Sequence, residues 1–173
     1  MDNPLVIGAL IVVIIVAAML APRWIRRSSG STGRRAGRRF EEDRLLEILD
    51  DLGATLVLHT SPDAARSIVD GVVRRDPRRF TALGDGVYGI RFLEPDDAVA
   101  RLVPVPDGMR LQMERFGEHL GRPNTSGFWN DLRARVLEEA AGQGVAATVP
   151  EAPQRFDRLD GDPPTWVLVT PPD

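Results

Sequence analysis

The sequence contains no cysteine and no lysine, and only two histidines and one tyrosine. Without cysteine there is no disulfide, no thiolate nucleophile and no Cys-ligated metal, a composition compatible with a reducing compartment. All twenty-two basic residues are arginine, which reads as codon usage of a GC-rich bacterial genome rather than a choice of guanidinium. His59 and His119 lie far apart with no partner at ligand spacing, so structural roles are favoured over metal or base chemistry. The stretch "LGDGVYG" is a hairpin turn and not a phosphate-cradling bend from strand to helix. No nucleophile-elbow serine motif and no H-E-x-x-H occur. Glu138-Glu139 would diverge on a helix, and Asp96-Asp97 reads as a turn. No catalytic, cofactor-binding or metal-ligating residue is expected, and the reading leans away from an enzyme.

What the sequence has instead is one long greasy run. Asn3 to Pro22 carry no charge, and eleven residues between Leu5 and Ala21 are Leu, Ile or Val. As a helix this stretch would span about 30 Å, the thickness of a bilayer's hydrocarbon core. Those eleven side chains favour insertion by about 3–7 kcal/mol. No polar face interrupts the run, which argues against a surface helix and against a buried core helix. A cleaved export signal needs a basic start and a small-x-small site. Here the start carries Asp2, and Met19 occupies the −3 position before the Ala21–Pro22 junction. The expectation is a permanent anchor.

Seven arginines, at 23, 26, 27, 34, 35, 38 and 39, follow the run, against one acid before it. By the positive-inside rule the N-terminus is outside and the chain after Arg23 is cytoplasmic. Arg23, Trp24, Arg26 and Arg27 fall at the membrane interface. Residues 28–40, rich in Arg, Ser and Gly, form a flexible linker, and twelve such residues reach about 20 Å. Arg34, Arg35, Arg38 and Arg39 are candidates for contact with anionic lipids, or else serve only as topology signals. Three parts result: an anchor with its basic flank at 1–27, the linker at 28–40, and a cytoplasmic domain at 41–173. The expected location is the cell membrane, single-pass, with other membrane proteins as possible partners. Residues 41–173 hold fifteen arginines and twenty-four acids, net −9. That balance excludes nucleic acid as a main partner, since phosphate binding needs a basic face.

The domain reads as α+β, an antiparallel sheet packed by one or two long helices. "FEEDRLLEILDDL" places Leu45, Ile48, Leu49 and Leu52 on one helical face. "ATLVLHT" is a strand of about seven residues. "SPDAARSIVDGVVRR" is a helix capped by Ser61, with Pro62 first and Ala65, Ile68, Val69, Val72 and Val73 inward. Asp85-Gly86 and Asp107-Gly108 mark hairpins. "MRLQMERF" alternates, with Met109, Leu111 and Met113 on one face and Arg110, Gln112 and Glu114 on the other. A second long helix starts near Ser126, with Asn124-Thr125-Ser126 as its cap. Its expected buried stripe is Phe128, Trp129, Leu132, Val136, Leu137 and Ala140. "VAATV" and "TWVLVT" are two late strands, separated by a loop rich in Pro and Asp.

A strand and helix, a curved meander, and a long helix with aromatics facing the sheet resemble the helix-grip fold of the START-like lipid- and polyketide-binding superfamily. The resemblance covers residues 54–144 and is architectural, without a shared short motif. That family usually has two short helices after its first strand and its long helix last, whereas this chain has one helix there and two additional strands at its end. The resemblance implies a hydrophobic ligand between helix and sheet. Met109, Leu111, Met113, Phe128 and Trp129 would line such a pocket, or form an ordinary core. Three functions follow: a tethered, non-catalytic interaction or scaffold module, which is favoured; a binder of a hydrophobic small molecule; and an enzyme with dispersed catalytic residues.

Overall fold

A twelve-residue strand, Gly108–His119, organises the domain. The computed structural model describes residues 40–169. The apolar run, its interfacial residues Arg23, Trp24, Arg26 and Arg27, and linker arginines Arg34, Arg35, Arg38 and Arg39 lie outside the described residues. Among the described residues no helix is long and apolar enough to cross a membrane. Contacts divide the chain after Arg44, and the part from Leu45 onward is one compact unit.

In chain order the elements are α1 (40–53), β1 (Leu56–Leu58), α2 (Pro62–Arg75), β2 (Phe80–Gly84), β3 (Val87–Ile90), β4 (Ala98–Val105) and β5 (Gly108–His119). β6 (Arg122–Pro123), α3 (Ser126–Gly142), β7 (Ala147–Thr148), β8 (Phe156–Leu159) and β9 (Thr165–Leu168) complete them. The fold is α+β, and every strand pair is antiparallel.

The strand order is β2-β3-β4-β5-β1-β7. One edge of β5 pairs with β4 along nearly its whole length. Its other edge is shared: Met109–Leu111 face β1, and Arg115–Gly117 face β9, which in turn carries β8. The expected alternation holds, with Met109, Leu111 and Met113 buried and their polar neighbours half-exposed. A bulge between Val99 and Ala100 leaves Glu114 without an opposite residue. One extra residue reverses the side-chain parity, so beyond it the even-numbered Phe116 turns inward and is fully buried.

The helices pack on the inward face. In α2 the Ser61 hydroxyl accepts from the Ala64 N–H, Pro62 opens the helix, and all five expected apolar residues are buried. Arg75 at the end of α2 pairs with Glu139 of α3, and Arg79 in the turn after α2 pairs with Asp131, so this turn lies along α3. Leu52 of α1 is buried, while Leu45, Ile48 and Leu49 pack against the core from its margin. Phe116 stands edge-on to Phe156 at 4.8 Å and stacked with Trp166 at 6.1 Å, which seals the β8–β9 end. There the largely buried Glu118 carboxylate accepts from Arg158 Nε at 2.7 Å, Arg158 Nη2 at 3.1 Å and Trp166 Nε1 at 2.8 Å.

Several local expectations change. β1 is three residues long instead of about seven, because His59 and Thr60 turn away to begin α2. β6 and β8 arise within segments read as loops. Leu137 is 40% exposed and lies off the buried stripe of α3. Thr125 occupies the N-cap of α3 without a side-chain cap bond. The Asn124 side-chain amide instead donates to the His119 and Arg122 carbonyls, which ties down the β5–β6 turn.

Candidate functional site

The five residues considered as pocket lining divide into two groups. Met109, Leu111, Met113 and Trp129 are buried in the core between sheet and helices. The Trp129 indole N–H donates to the Ala54 carbonyl at 3.0 Å, and the Arg133 guanidinium lies 5.6 Å above its ring. Phe128, one residue earlier on α3, is rotated by about 100° around the helix and is only partly buried. Its ring is 6.4 Å from that of Phe92 and lies under the Arg79 guanidinium at 5.7 Å. Neither of the two clefts described below is lined by any of the five.

Phe128 belongs to a tip at one end of the sheet. The loop between β3 and β4 is gathered around one carboxylate: Asp97 accepts from the backbone N–H groups of Phe92, Leu93 and Glu94. Three donors on one ionised acceptor form a strong, geometrically fixed cluster. A Cβ at Gly89 would collide with the Pro95 carbonyl oxygen, so the loop can fold back over β3 only because that position is glycine. Held this way, Phe92 is 38% and Leu93 58% exposed. The Phe92 ring meets the His119 ring at 5.6 Å. Next to His119, Leu120 is 90% exposed at positive φ on the β5–β6 turn. Three apolar side chains thus point outward from two adjoining, pinned turns.

Among the described residues two clefts flank the fold. One, about 600 Å³, lies between α2 and α3 and is lined by Val72, Arg75, Arg135, Glu138, Glu139 and Gln143, among others. Its charges are largely matched within the protein. Arg75 is 2.6 Å from Glu139, and Arg135 lies 2.9 Å from Asp131 and 3.5 Å from Asp76. The hydrogen bond from Arg75 holds the Glu139 carboxyl below its ordinary range, and that to Asp131 raises Arg135.

The second cleft, about 360 Å³, opens on the outer sheet face around Arg110 of β5. His59 closes one side of it. Its Nδ1 lies 3.0 Å from the Asp107 carbonyl and its Nε2 3.0 Å from the Thr148 hydroxyl. A carbonyl can only accept, so Nδ1 carries a proton. The ring thereby joins the β4–β5 turn to β7, the structural role favoured from sequence. Among the described residues no three His, Asp or Glu side chains converge to hold a metal.

No family model, curated protein or solved structure matches this chain. In the sequence Asp97 reads as an ordinary turn residue and Arg110 as one more outward polar position on an alternating strand. The Asp-three-donor cluster has a faint signal in the Pro and paired Asp of "FLEPDD"; Arg110 has none without its neighbours in space.

Proposed function

We propose that this chain is a single-pass membrane protein whose domain acts as a non-catalytic interaction module, tethered at the cytoplasmic face and docking on other envelope proteins. The tip carries this reading. Phe92, Leu93 and Leu120 are exposed on turns that Asp97 and Asn124 hold in place. Such preorganisation lowers the ordering cost of binding, and clustered exposed apolar side chains mark contact surfaces. The uncharged run from Asn3 to Pro22 and the one-sided arginines after it support the tether.

The test is photo-crosslinking in the native host, with a photoreactive side chain placed at Leu93, Leu120 or Glu151, an exposed residue on another loop. Discrete adducts with a membrane protein are expected from Leu93 and Leu120 and not from Glu151. Asp97→Ala, which releases the loop, should diminish them. Equal labelling from all three positions, or none from the tip, refutes the reading. The tether is checked separately: protease added outside intact cells should spare residues 41–173, whereas inside-out vesicles should lose them.

A further inference from the structure

The β5–β6 turn carries an unexpected residue. Leu120 and Gly121, its two central positions, have φ of 55° and 76°. Positive φ at both is the pattern of a tight hairpin turn whose first position favours Asn, Asp or Gly. A leucine there is strained, and at 90% exposure it gains no burial. Strain held without a packing reason points to use by something else. The Asn124 side-chain amide fixes the turn through the His119 and Arg122 carbonyls at 2.9 and 3.1 Å, so Leu120 is held outward in one place.

The charges beside it are unbalanced. Arg122 stands opposite His119 in the β5–β6 pair. Opposite residues of an antiparallel pair project to one face, here the face on which the His119 ring meets Phe92 at 5.6 Å. Both residues are exposed. Among the described residues neither the guanidinium nor the imidazole has a hydrogen-bond or ion-pair partner. The acids around the tip are already engaged: Glu118 by Arg158 and Trp166, Asp96 by Arg115, Asp97 by backbone N–H groups of its own loop, and Asp131 by Arg79. A guanidinium left over among preplaced apolar side chains suits a carboxylate, which it binds through two parallel hydrogen bonds. Glu94, exposed beside Leu93, repels a second negative charge on its own side of the tip. A peptide can place its acid at Arg122 and avoid Glu94, which a uniformly anionic lipid surface cannot do.

Building on the docking role of the tip, we propose that its partner presents an acidic, apolar segment. Its apolar side chains meet Phe92, Leu93 and Leu120, and a side-chain carboxylate meets Arg122 with an N–H of the His119 ring beside it.

The test uses the full chain in uncharged detergent micelles, observed by nitrogen-resolved NMR. It is titrated with acetyl-Leu-Glu-Leu-amide and with the matched acetyl-Leu-Gln-Leu-amide. Saturable shifts are expected at the Leu93, Leu120 and Arg122 amides, with the Glu peptide bound about tenfold more tightly through its charge-assisted pair. Arg122→Gln, its folding checked by unperturbed helix amides, should bring the two peptides to equal affinity. Leu120→Asn suits the turn, so it should raise the unfolding temperature while weakening both peptides. Equal affinity of the two peptides for the unaltered chain overturns the proposal, as does a Glu preference that survives Arg122→Gln. Lower stability of Leu120→Asn would make the leucine structural and also count against it. Displacement of the Glu peptide by added phosphatidylglycerol would hand the surface to lipid and refute a peptide partner. In the native host, crosslinks from Leu93 that persist in Arg122→Glu would refute the carboxylate contact and leave docking intact, whereas no crosslink from Leu93 removes both.

Discussion

Truncating Trp129 is the sharpest test of how the domain is held together. The side chain is fully buried, donates its indole N–H to the Ala54 carbonyl and lies beneath Arg133. Removing a core tryptophan costs about 3–5 kcal/mol in lost contacts and residual cavity. The orphaned carbonyl adds about 1 kcal/mol, and the lost cation–π contact adds about 0.5–1 kcal/mol. These share one site and do not sum fully, so about 4–6 kcal/mol is expected for Trp129→Ala. A domain of this size has about 5–15 kcal/mol to lose. The assay is urea unfolding of residues 41–173 followed by circular dichroism, since the substitution removes a fluorophore. With a slope of about 2 kcal/mol per molar, the midpoint should fall by about 2 M or more. Trp129→Phe keeps most of the apolar volume and forfeits the N–H, so about 1–2 kcal/mol is expected. It remains measurable if the alanine variant does not fold. A loss below about 1.5 kcal/mol for Trp129→Ala would mean that the indole does not organise a packed core.

Two further predictions concern charge. The Arg158 guanidinium, joined by the Trp166 N–H and opposed by burial, holds the Glu118 carboxyl below its ordinary 4.5. A depressed carboxyl stabilises the fold fully above that value, and the contribution is lost as pH falls through the lowered folded value. Glu118→Gln should therefore cost about 1–2 kcal/mol near neutrality and flatten the stability profile below about pH 4.5, as read from unfolding midpoints; an unchanged acid limb would refute the role. For the linker, a 23–173 fragment should bind anionic vesicles at low salt and lose most of that binding at physiological salt, where attraction decays within about 8 Å. Changing Arg34, Arg35, Arg38 and Arg39 to Gln should remove much of it, and residues 41–173 alone should show none. Equal affinity of the two fragments would leave the arginines as topology signals only.

The elements legible in the sequence are those whose determinants are local. Ser61 and Pro62 announce α2, and its 3.6-residue apolar period identifies the buried face. Asp85 and Gly86 both have positive φ, as a tight hairpin requires and as their identities suggest. β8 was illegible because "FDRL" has one half-buried residue followed by three exposed ones, so it carries no alternation and exists through its pairing with β9. Leu137 shows the converse: a heptad-like position does not bury a side chain when none of the described elements covers that side of the helix. The candidate sites were least legible. Asp97 gains its meaning from three backbone donors that only the fold assembles.

The divided edge of β5 has a consequence for the chain as it is made. The meander from β2 to β5 consists of neighbouring hairpins and can form once His119 has emerged. The strip of β5 from Arg115 to Gly117, however, stays open until Thr165–Leu168 arrives, almost at the end of the described chain. Until then Phe116 lacks its Phe156 and Trp166 partners, and an unpaired edge beside a bare aromatic invites wrong pairing. The last strand is thus a seal of completeness: a product terminated before β9 keeps its hairpins yet exposes the middle of its own sheet, a state that a quality-control protease can recognise.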